Sequence, residues 1–486
     1  MRATLSVAMG TVCVLFLPVF GLTLCAFVAT MQIAVMLIRV SVAHSTPPRL
    51  LQPAKGAVPV FSVHVATHNE PPLVVTRTLQ ALAAQDWPAA CFEIIVIDNN
   101  TADPALWQPV ERLCDQLGPE VRFMHRMGVV GAKAGALNIA LAQTRADATH
   151  IVTVDADYVV VPEFLSLADH ALRATGADYV QFPQAYVACE QVAAGMDAEL
   201  EEYFRTNAQM ADGSEAVLLT GTLCVISKTA LNAAGGWSGR TTTEDAEMGV
   251  RLCRKGYGGR FINRIVGRGY LPFSLRDLER QRHRWASGNL QTLIAHAPAI
   301  LLGEGAMGWR RRAAILSQLT AWLNLSLIPA LLLLVALLTE LGGPMLIALA
   351  AVCIILSFTD IVGRLVWRGL RDQTPWRVLA AAIGHRLALA PVSALATIEV
   401  LLGRPMTFIV TDKSGAVAGS GHGLPIVSLV LFMVAALALP AAVQAGWLAV
   451  AAVLALMAPL PAALATARTL DRYRTTVSPP ATGAPA

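Results

Sequence analysis

Charge is what this sequence has least of. Of its 486 residues 14% are charged and 55% are hydrophobic, where a soluble domain carries roughly 25% charged residues. A chain so short of charge does not fold wholly in water, and much of this one is expected in lipid. The formal net charge is only +4 and the basic residues do not form blocks, so no nucleic-acid partner is indicated. Eight cysteines include no C-x-x-C pair, which leaves no zinc or dithiol redox motif. Reduced, buried thiols facing a cytosol are the plain expectation. No charged residue occurs from Ala3 to Ile38, a stretch far longer than a signal-peptide core and without a small-residue cleavage site.

The apolar residues are concentrated at the two ends. A membrane crossing needs about 20 of them, so residues 1–45 read as a transmembrane anchor, either one long helix or a tight hairpin near Pro18 and Gly21. Runs near 314–339, 344–363, 424–443 and 446–467 are each long enough to span. Segment 377–403 carries Arg377, His385, Arg386 and Glu399 around Pro391, the pattern of an interfacial helix. Residues 296–475 are thus expected to form a membrane region of about four spans, and 476–486 a disordered tail. Arg310, Arg311 and Arg312 precede the first of these spans, Arg364, Arg368, Arg371 and Arg377 follow the second, and Arg468, Arg472 and Arg474 follow the last. Only Glu340 lies between the first two. Positive charge marks the cytosolic side, which places the middle of the chain in the cytosol of a multi-pass inner (plasma) membrane protein.

Residues 56–295 have ordinary polarity and alternate strand with helix. "VPVFSVHVAT", "FEIIVID", "VRFMHR" and "HIVTVDADY" read as strands, and the segments between them as helices. Such alternation predicts an α/β domain with a mostly parallel sheet. Ligands bind beyond the carboxyl ends of such strands, where this sequence puts His68-Asn69-Glu70, Asp98-Asn99-Asn100 and Asp155-Ala156-Asp157.

Carboxylates at a strand end suit a hard cation such as Mg²⁺ or Mn²⁺, which keeps phosphate oxygens among its ligands. The competing reading of Asp155 and Asp157 is a plain Asp-x-Asp turn. Lys133, in "GAKAGALN", offers a cation at a helix start, a favourable place for phosphate, although such starts also serve close packing. In "TTTEDAEMG", Glu244, Asp245 and Glu247 complement a helix dipole. That accounts for Glu247. A carboxylate placed after "LLTGTLCVIS", with Gly221 and Thr222, also suits a general base toward a sugar hydroxyl.

The order of these motifs, with "QRHRWASGNLQ" after them, resembles the membrane-embedded family 2 glycosyltransferases of the cellulose synthase superfamily over residues 60–412. "IDNNTADPALWQPVE" and "KAGALNIAL" are most similar to the transferase portion of bacterial cyclic β-(1,3),(1,6)-glucan synthases. The resemblance implies a cytosolic GT-A (Rossmann-like) domain over 56–295, held between transmembrane helices. It implies an inverting, processive β-glucan synthase that uses UDP-glucose and Mg²⁺ or Mn²⁺, with a glycan acceptor and surrounding lipid as its other partners. Asn69, Glu70 and Asp98 would line the uracil and ribose pocket, Lys133 and Asp155 would hold the diphosphate, and Asp157 would ligate the metal with Asp155. Gly221 and Thr222 would border the acceptor sugar, and Asp245, beside Glu244, would be the base.

Gln281, Arg284 and Trp285 match a Gln-x-x-Arg-Trp signature and share one helical face by their spacing. Arg284 would grip the pyrophosphate by forked hydrogen bonds while Trp285 stacks on the acceptor with Gln281 beside it. Arg280 and Arg282 point elsewhere and are expected at lipid headgroups. "PMTFIVTDKSG" resembles a gating loop over 405–423 through Phe408, Val410, Thr411 and Lys413, with Ser414 where that pattern has glycine. The rival readings are a non-processive transferase, a polymerase using UDP-N-acetylglucosamine, and a non-catalytic glycan exporter or binding protein.

Overall fold

The computed structural model describes residues 2–43, 56–187, 192–404 and 425–477, with side chains from Pro18 onward. The expected gating loop, with Phe408, Val410, Thr411 and Lys413, lies outside the described residues, as does the chain from Ser478.

A seven-stranded sheet fills the centre. Its strands are β1 Phe61–Thr67, β2 Phe92–Asn99, β3 Val121–Arg126, β4 His150–Thr153, β6 Tyr179–Gln181, β7 Cys224–Ser227 and β8 Gly259–Phe261, in the order β3-β2-β1-β4-β7-β6-β8. A separate pair joins β5 (Val159–Val160) to β9 (Gly267–Arg268). β3, β2, β1 and β4 run parallel, whereas β7 is antiparallel to both of its neighbours. β2 is buried along its whole length, as a parallel strand covered on both faces must be. This is the mostly parallel α/β sheet that the alternation predicts.

Two layers of helices cover it. Pro72 begins α2 (Pro72–Ala83), where its fixed φ suits a first helical turn. The Asp103 side chain accepts the Ala105 N–H and caps α3 (Pro104–Leu117), filling an orphan donor of the helix start. Val75, Leu79 and Leu82 of α2, Val110 of α3 and Phe164 of α5 (Phe164–Thr175) pack on one face of the sheet. On the other, α4 (Ala132–Gln143) brings Ala136, Leu137 and Ala140 against Ile95, Ile97 and Ile151. Helices α6 (Ala194–Tyr203), α7 (Lys228–Ala233) and α8 (Glu244–Arg254) precede the long α9 (Leu275–Leu302), which leads into the apolar part of the chain.

The N-terminal segment is one continuous helix, α1 (Arg2–Ala43), with Pro18 inside it. The apolar run 314–339 is not continuous. It divides into α10 (Trp309–Leu319) and α11 (Leu327–Thr339), because Asn324 interrupts it. The Asn324 amide donates to the Ala390 carbonyl at 2.9 Å and its oxygen accepts the Ser326 N–H at 3.0 Å. Then follow α12 (Gly343–Arg371), α13 (Trp376–Leu401), α14 (Ile426–Ala445), α15 (Trp447–Met457) and α16 (Pro459–Val477). Among the described residues five helical segments are long and apolar enough to cross a membrane: Pro18–Ala43, Gly343–Arg371, Trp376–Leu401, Ile426–Ala445 and Trp447–Val477, the last running through α15 and α16. Among them is Trp376–Leu401, the segment expected at the interface. It packs against α9, α16 and α6, so its charges His385 and Arg386 are buried against protein.

Candidate active site

Asp98 ends β2 and is almost wholly covered. One carboxylate oxygen accepts the Thr67 and Thr101 hydroxyls, each at 2.9 Å, and the other meets His125 Nδ1 at 2.9 Å. Asp98 therefore binds the ends of β1, β2 and β3 together. His125, which Trp107 stacks on at 4.4 Å, stands in front of it. Neither residue was legible as part of a site, since "VRFMHR" reads as an ordinary strand. Asn69 is exposed in the left-handed region with φ +53°, its N–H given to the Thr101 hydroxyl at 2.9 Å. Glu70 follows it, half-buried, at the start of α2.

Lys133 lies at the centre, in the first turn of α4. Its ammonium pairs with Asp155, donates to the Gly221 carbonyl at 2.8 Å and stands 3.8 Å from Glu244. Burial works against this charge, but Asp155, Glu244 and Asp245 outweigh it and hold the lysine pKa above its ordinary value. Asp245 opens α8 with Glu244, and its Oδ1 accepts the Ala246 N–H at 2.8 Å. Burial, and then the charge of Glu244, push the Asp245 pKa up to about 7 against the pull of Lys133 and Arg284. A carboxylate near neutrality in a cleft is the pattern of a general base.

Gly221 explains how these groups fit. Its φ of +82° belongs to the left-handed region, and a Cβ there would lie 2.9 Å from Asp245 Oδ2 and 3.4 Å from the Lys133 ammonium. Thr222 is fully buried, and its hydroxyl accepts the Asp155 N–H at 3.0 Å. It braces the segment after β4 from beneath.

The other side of the cleft is built by α9, which lies against the threonines that precede Glu244. Gly288 allows that approach, because a Cβ there would come within 2.6 Å of the Thr243 side chain. Gln291 accepts the Thr242 N–H at 3.1 Å, and the Thr242 hydroxyl donates to the Arg284 carbonyl at 3.3 Å. Glu247 pairs with Arg251 at 2.8 Å and meets His296 at 3.0 Å, a clasp between α8 and α9. From Asp245 a cavity of about 50 Å³ extends past Thr220, Asn289, Trp285, Tyr203 and Trp322. Gln281, one turn before Trp285, stands outside its lining.

Arg282 does not face lipid. It is 3% exposed and shares Glu199 with Arg386, its own two bonds being 3.2 Å each. Its guanidinium lies 3.8 Å from the centre of the Trp322 ring, while Tyr203 stacks on that ring at 4.7 Å and 15°. A cation and a near-parallel ring that close cannot share one face, so Trp322 is sandwiched. The reason is position: Arg282 precedes Trp285 by three residues, its guanidinium 5.6 Å from the centre of that ring, on a side of α9 that α13 covers and where Glu199 of α6 reaches it. Burial opposes the Glu199 charge, but Arg282 and Arg386 outweigh it and hold its pKa at about 2. Arg280 does keep an exposed side chain, paired with Asp277 at 3.0 Å.

Among the described residues no three His, Cys, Asp or Glu side chains converge on a metal-sized space. The candidates are Asp155, partly exposed, and Asp157, buried with Oδ2 accepting the Tyr270 N–H at 3.2 Å. Two carboxylates completed by phosphate oxygens are a donor set that Mg²⁺ accepts, so the residues fit such an ion together with a diphosphate.

Known proteins point the same way. The family model described as Glycosyl transferase family 2 matches residues 62–235, and that of Glycosyl transferase family group 2 matches 150–362. A cellulose synthase catalytic subunit [UDP-forming] of Xanthomonas axonopodis pv. citri (strain 306) is 30% identical over 51% of this chain and 33% of its own. Glucomannan 4-beta-mannosyltransferase 2 of Arabidopsis thaliana is 27% identical over 53% of this chain and 50% of its own. The beta-monoglucosyldiacylglycerol synthase of Synechocystis sp. (strain ATCC 27184 / PCC 6803 / Kazusa) is 29% identical over 57% of each. The chain thus spans between a third and somewhat over half the length of these relatives. Among solved structures, a mannosyltransferase from Pyrobaculum calidifontis in complex with GDP-Man and Mn²⁺ shares the fold, with a TM-score of 0.52, 16% identity, and coverage of 79% of this chain and all of that one.

Proposed function

We propose that this chain, a glycosyltransferase with family 2 domains, moves glucose from UDP-glucose to an acceptor hydroxyl with inversion, at the cytosolic face of the inner membrane. The acceptor we propose first is a growing β-glucan, extended repeatedly and passed across the membrane. Its basis is the likeness of the 97–111 and 133–141 segments to cyclic glucan synthases, and homology to a cellulose synthase. The observation that carries the chemistry is the placement of Asp245 between the Lys133 cluster on one side and the Trp285 cavity on the other, where burial raises its pKa.

The hydroxyl oxygen at the end of the acceptor attacks the anomeric carbon as Asp245 takes its proton, and the bond from that carbon to the diphosphate oxygen breaks with its electrons going to UDP. Trp285 gives the acceptor ring an apolar face. Lys133 and Arg284 stand as cations for the negative charge that grows on the departing diphosphate. Asp155 and Asp157 would hold Mg²⁺ or Mn²⁺, which when bound supplies further positive charge there. A positioned base contributes about 10²–10⁴ in rate.

A second reading has its own support. The wall of the large cavity among the membrane helices is almost wholly apolar, which suits a single transfer to a lipid hydroxyl, and one relative is a synthase of a glucosylated diacylglycerol. Membranes containing the protein, given labelled UDP-glucose, UDP-N-acetylglucosamine and GDP-mannose in turn, decide between these. Polymer resistant to organic extraction supports the glucan, and label in extracted lipid supports the second reading. No transfer from any nucleotide sugar with either acceptor overturns both.

A further inference from the structure

A cavity of about 370 Å³ lies among α11, α12, α13, α14 and α15, bounded by Leu331, Leu334, Phe358, Ala390, Val430 and Val434. We propose that it binds an acyl chain of a membrane lipid. An apolar cavity of about 150 Å³ is already enough to stay dry and take up a small hydrocarbon, and this one is more than twice that size. The polar side chains on its wall are Asn324, Ser326 and Ser357. The Asn324 amide is given to the Ala390 carbonyl, and the Ser357 hydroxyl accepts Gln32 at 2.6 Å.

A sugar ring is not the occupant, because its hydroxyls would lose water and find almost no partners. The mouth identifies the source of the occupant. Leu331, Ile426 and Val430 line the cavity and are also 56%, 70% and 54% exposed on the outside of the bundle. Leu331 and Val430 belong to helices of an apolar bundle whose outer surface lipid would cover, so the cavity opens sideways to hydrocarbon. Its inner end is marked by Asn324, two residues after Trp322, which lines the cavity leading to Asp245. A chain seated here carries its headgroup toward the catalytic domain.

The test uses the purified protein in nanodiscs with a lipid whose acyl chain bears a photoreactive diazirine, in two forms, diacylglycerol and phosphatidylcholine. Leu331→Trp and Val430→Trp narrow the mouth from exposed positions, away from the catalytic groups, and UDP binding by each variant is measured in parallel. The wild type should give adducts on peptides of α11, α12 and α14. Each variant should lose adduct yield by about tenfold, since two buried methylenes account for that much, while binding UDP as the wild type does. Adducts scattered over the outer surface of the bundle, undiminished in both variants, overturn the proposal. Crosslinking requires no turnover, so its outcome is separate from whether the chain transfers sugar. If unlabelled diacylglycerol competes and phosphatidylcholine does not, the occupant is a hydroxyl-bearing lipid able to serve as acceptor. Equal competition makes it bulk membrane lipid in the same site.

Discussion

Arg282→Lys separates what two nearby arginines of α9, Arg282 and Arg284, do. The substitution keeps a positive charge beside Glu199 but removes Nη2, the one nitrogen that makes both 3.2 Å bonds, and the flat cation over Trp322. A hydrogen bond to a charged group contributes about 1.5–3 kcal/mol, and a desolvated cation–aromatic contact about 2 kcal/mol. Lysine retains part of each, and Arg386 still offsets Glu199, so a net loss of about 2 kcal/mol is reasonable. At about 2–4 °C per kcal/mol for a domain of this size, melting followed by intrinsic fluorescence in detergent should fall by roughly 4–8 °C. Trp285 lies 5.7 Å from Trp322, so a loosened Trp322 also blurs the acceptor platform and raises the acceptor KM. Arg284→Lys, by contrast, should leave melting nearly unchanged and reduce turnover. If Arg282→Lys melts and turns over like the wild type, the sandwich contributes nothing and the residue behaves as a headgroup cation after all.

Four further outcomes are expected. Asp245→Asn should reduce kcat by about 10²–10⁴ while UDP titration calorimetry stays unchanged; near-normal turnover would leave the residue as a helix-dipole carboxylate. The same group sets a pH profile: its folded pKa of about 7 lies above the ordinary 3.8, so the base is lost as pH falls below neutrality and kcat should drop about tenfold per unit there. Linkage runs the opposite way, because a carboxyl that keeps its proton longer in the fold contributes most stability at low pH and loses it as pH rises toward 7. Melting of Asp245→Asn near pH 8 should therefore be no lower than the wild type's. Gly221→Ala places a methyl 2.9 Å from Asp245 at a left-handed φ and should cost about 1–3 kcal/mol, read as a lower midpoint in chemical denaturation with most activity gone. Asp157→Ala should remove the effect of Mg²⁺ or Mn²⁺ on UDP affinity, and equal affinity in the wild type with chelator and with metal contradicts the assignment of the cation to this pair.

The parallel half of the sheet was legible because β1, β2 and β3 are six to eight residues long, enough for an apolar run to stand out between turns. β6 and β8 have three residues each, too few to carry a period, and the reversed direction of β7 leaves no mark in its composition. The site divided along a similar line. Carboxylates at strand ends and the Gln-x-x-Arg-Trp spacing are local facts, so the residues could be named, but where each side chain turns depends on distant partners. Asp98 illustrates this: its place at a strand end is legible, but not that Thr67, Thr101 and His125 hydrogen-bond its oxygens. Arg282 is the stronger case. It lies off the side of Arg284, but it stands three residues before Trp285 and its guanidinium comes within 5.6 Å of the centre of that ring, so the inference needed to know what covers this side of α9. Glu199 and Glu202, in "AELEEY", look like a solvated acidic turn, and His385 with Arg386 look like interfacial charges on a lipid-lying helix. Each half is explained locally by water or headgroups. Opposite charges in two segments with no local partners were the available signal, since burying an unpaired charge is costly and pairing removes that cost. The pairing fastens α6, α9 and α13 together, so the α/β domain and the apolar bundle meet through an ion cluster beside the ring proposed to hold the acceptor.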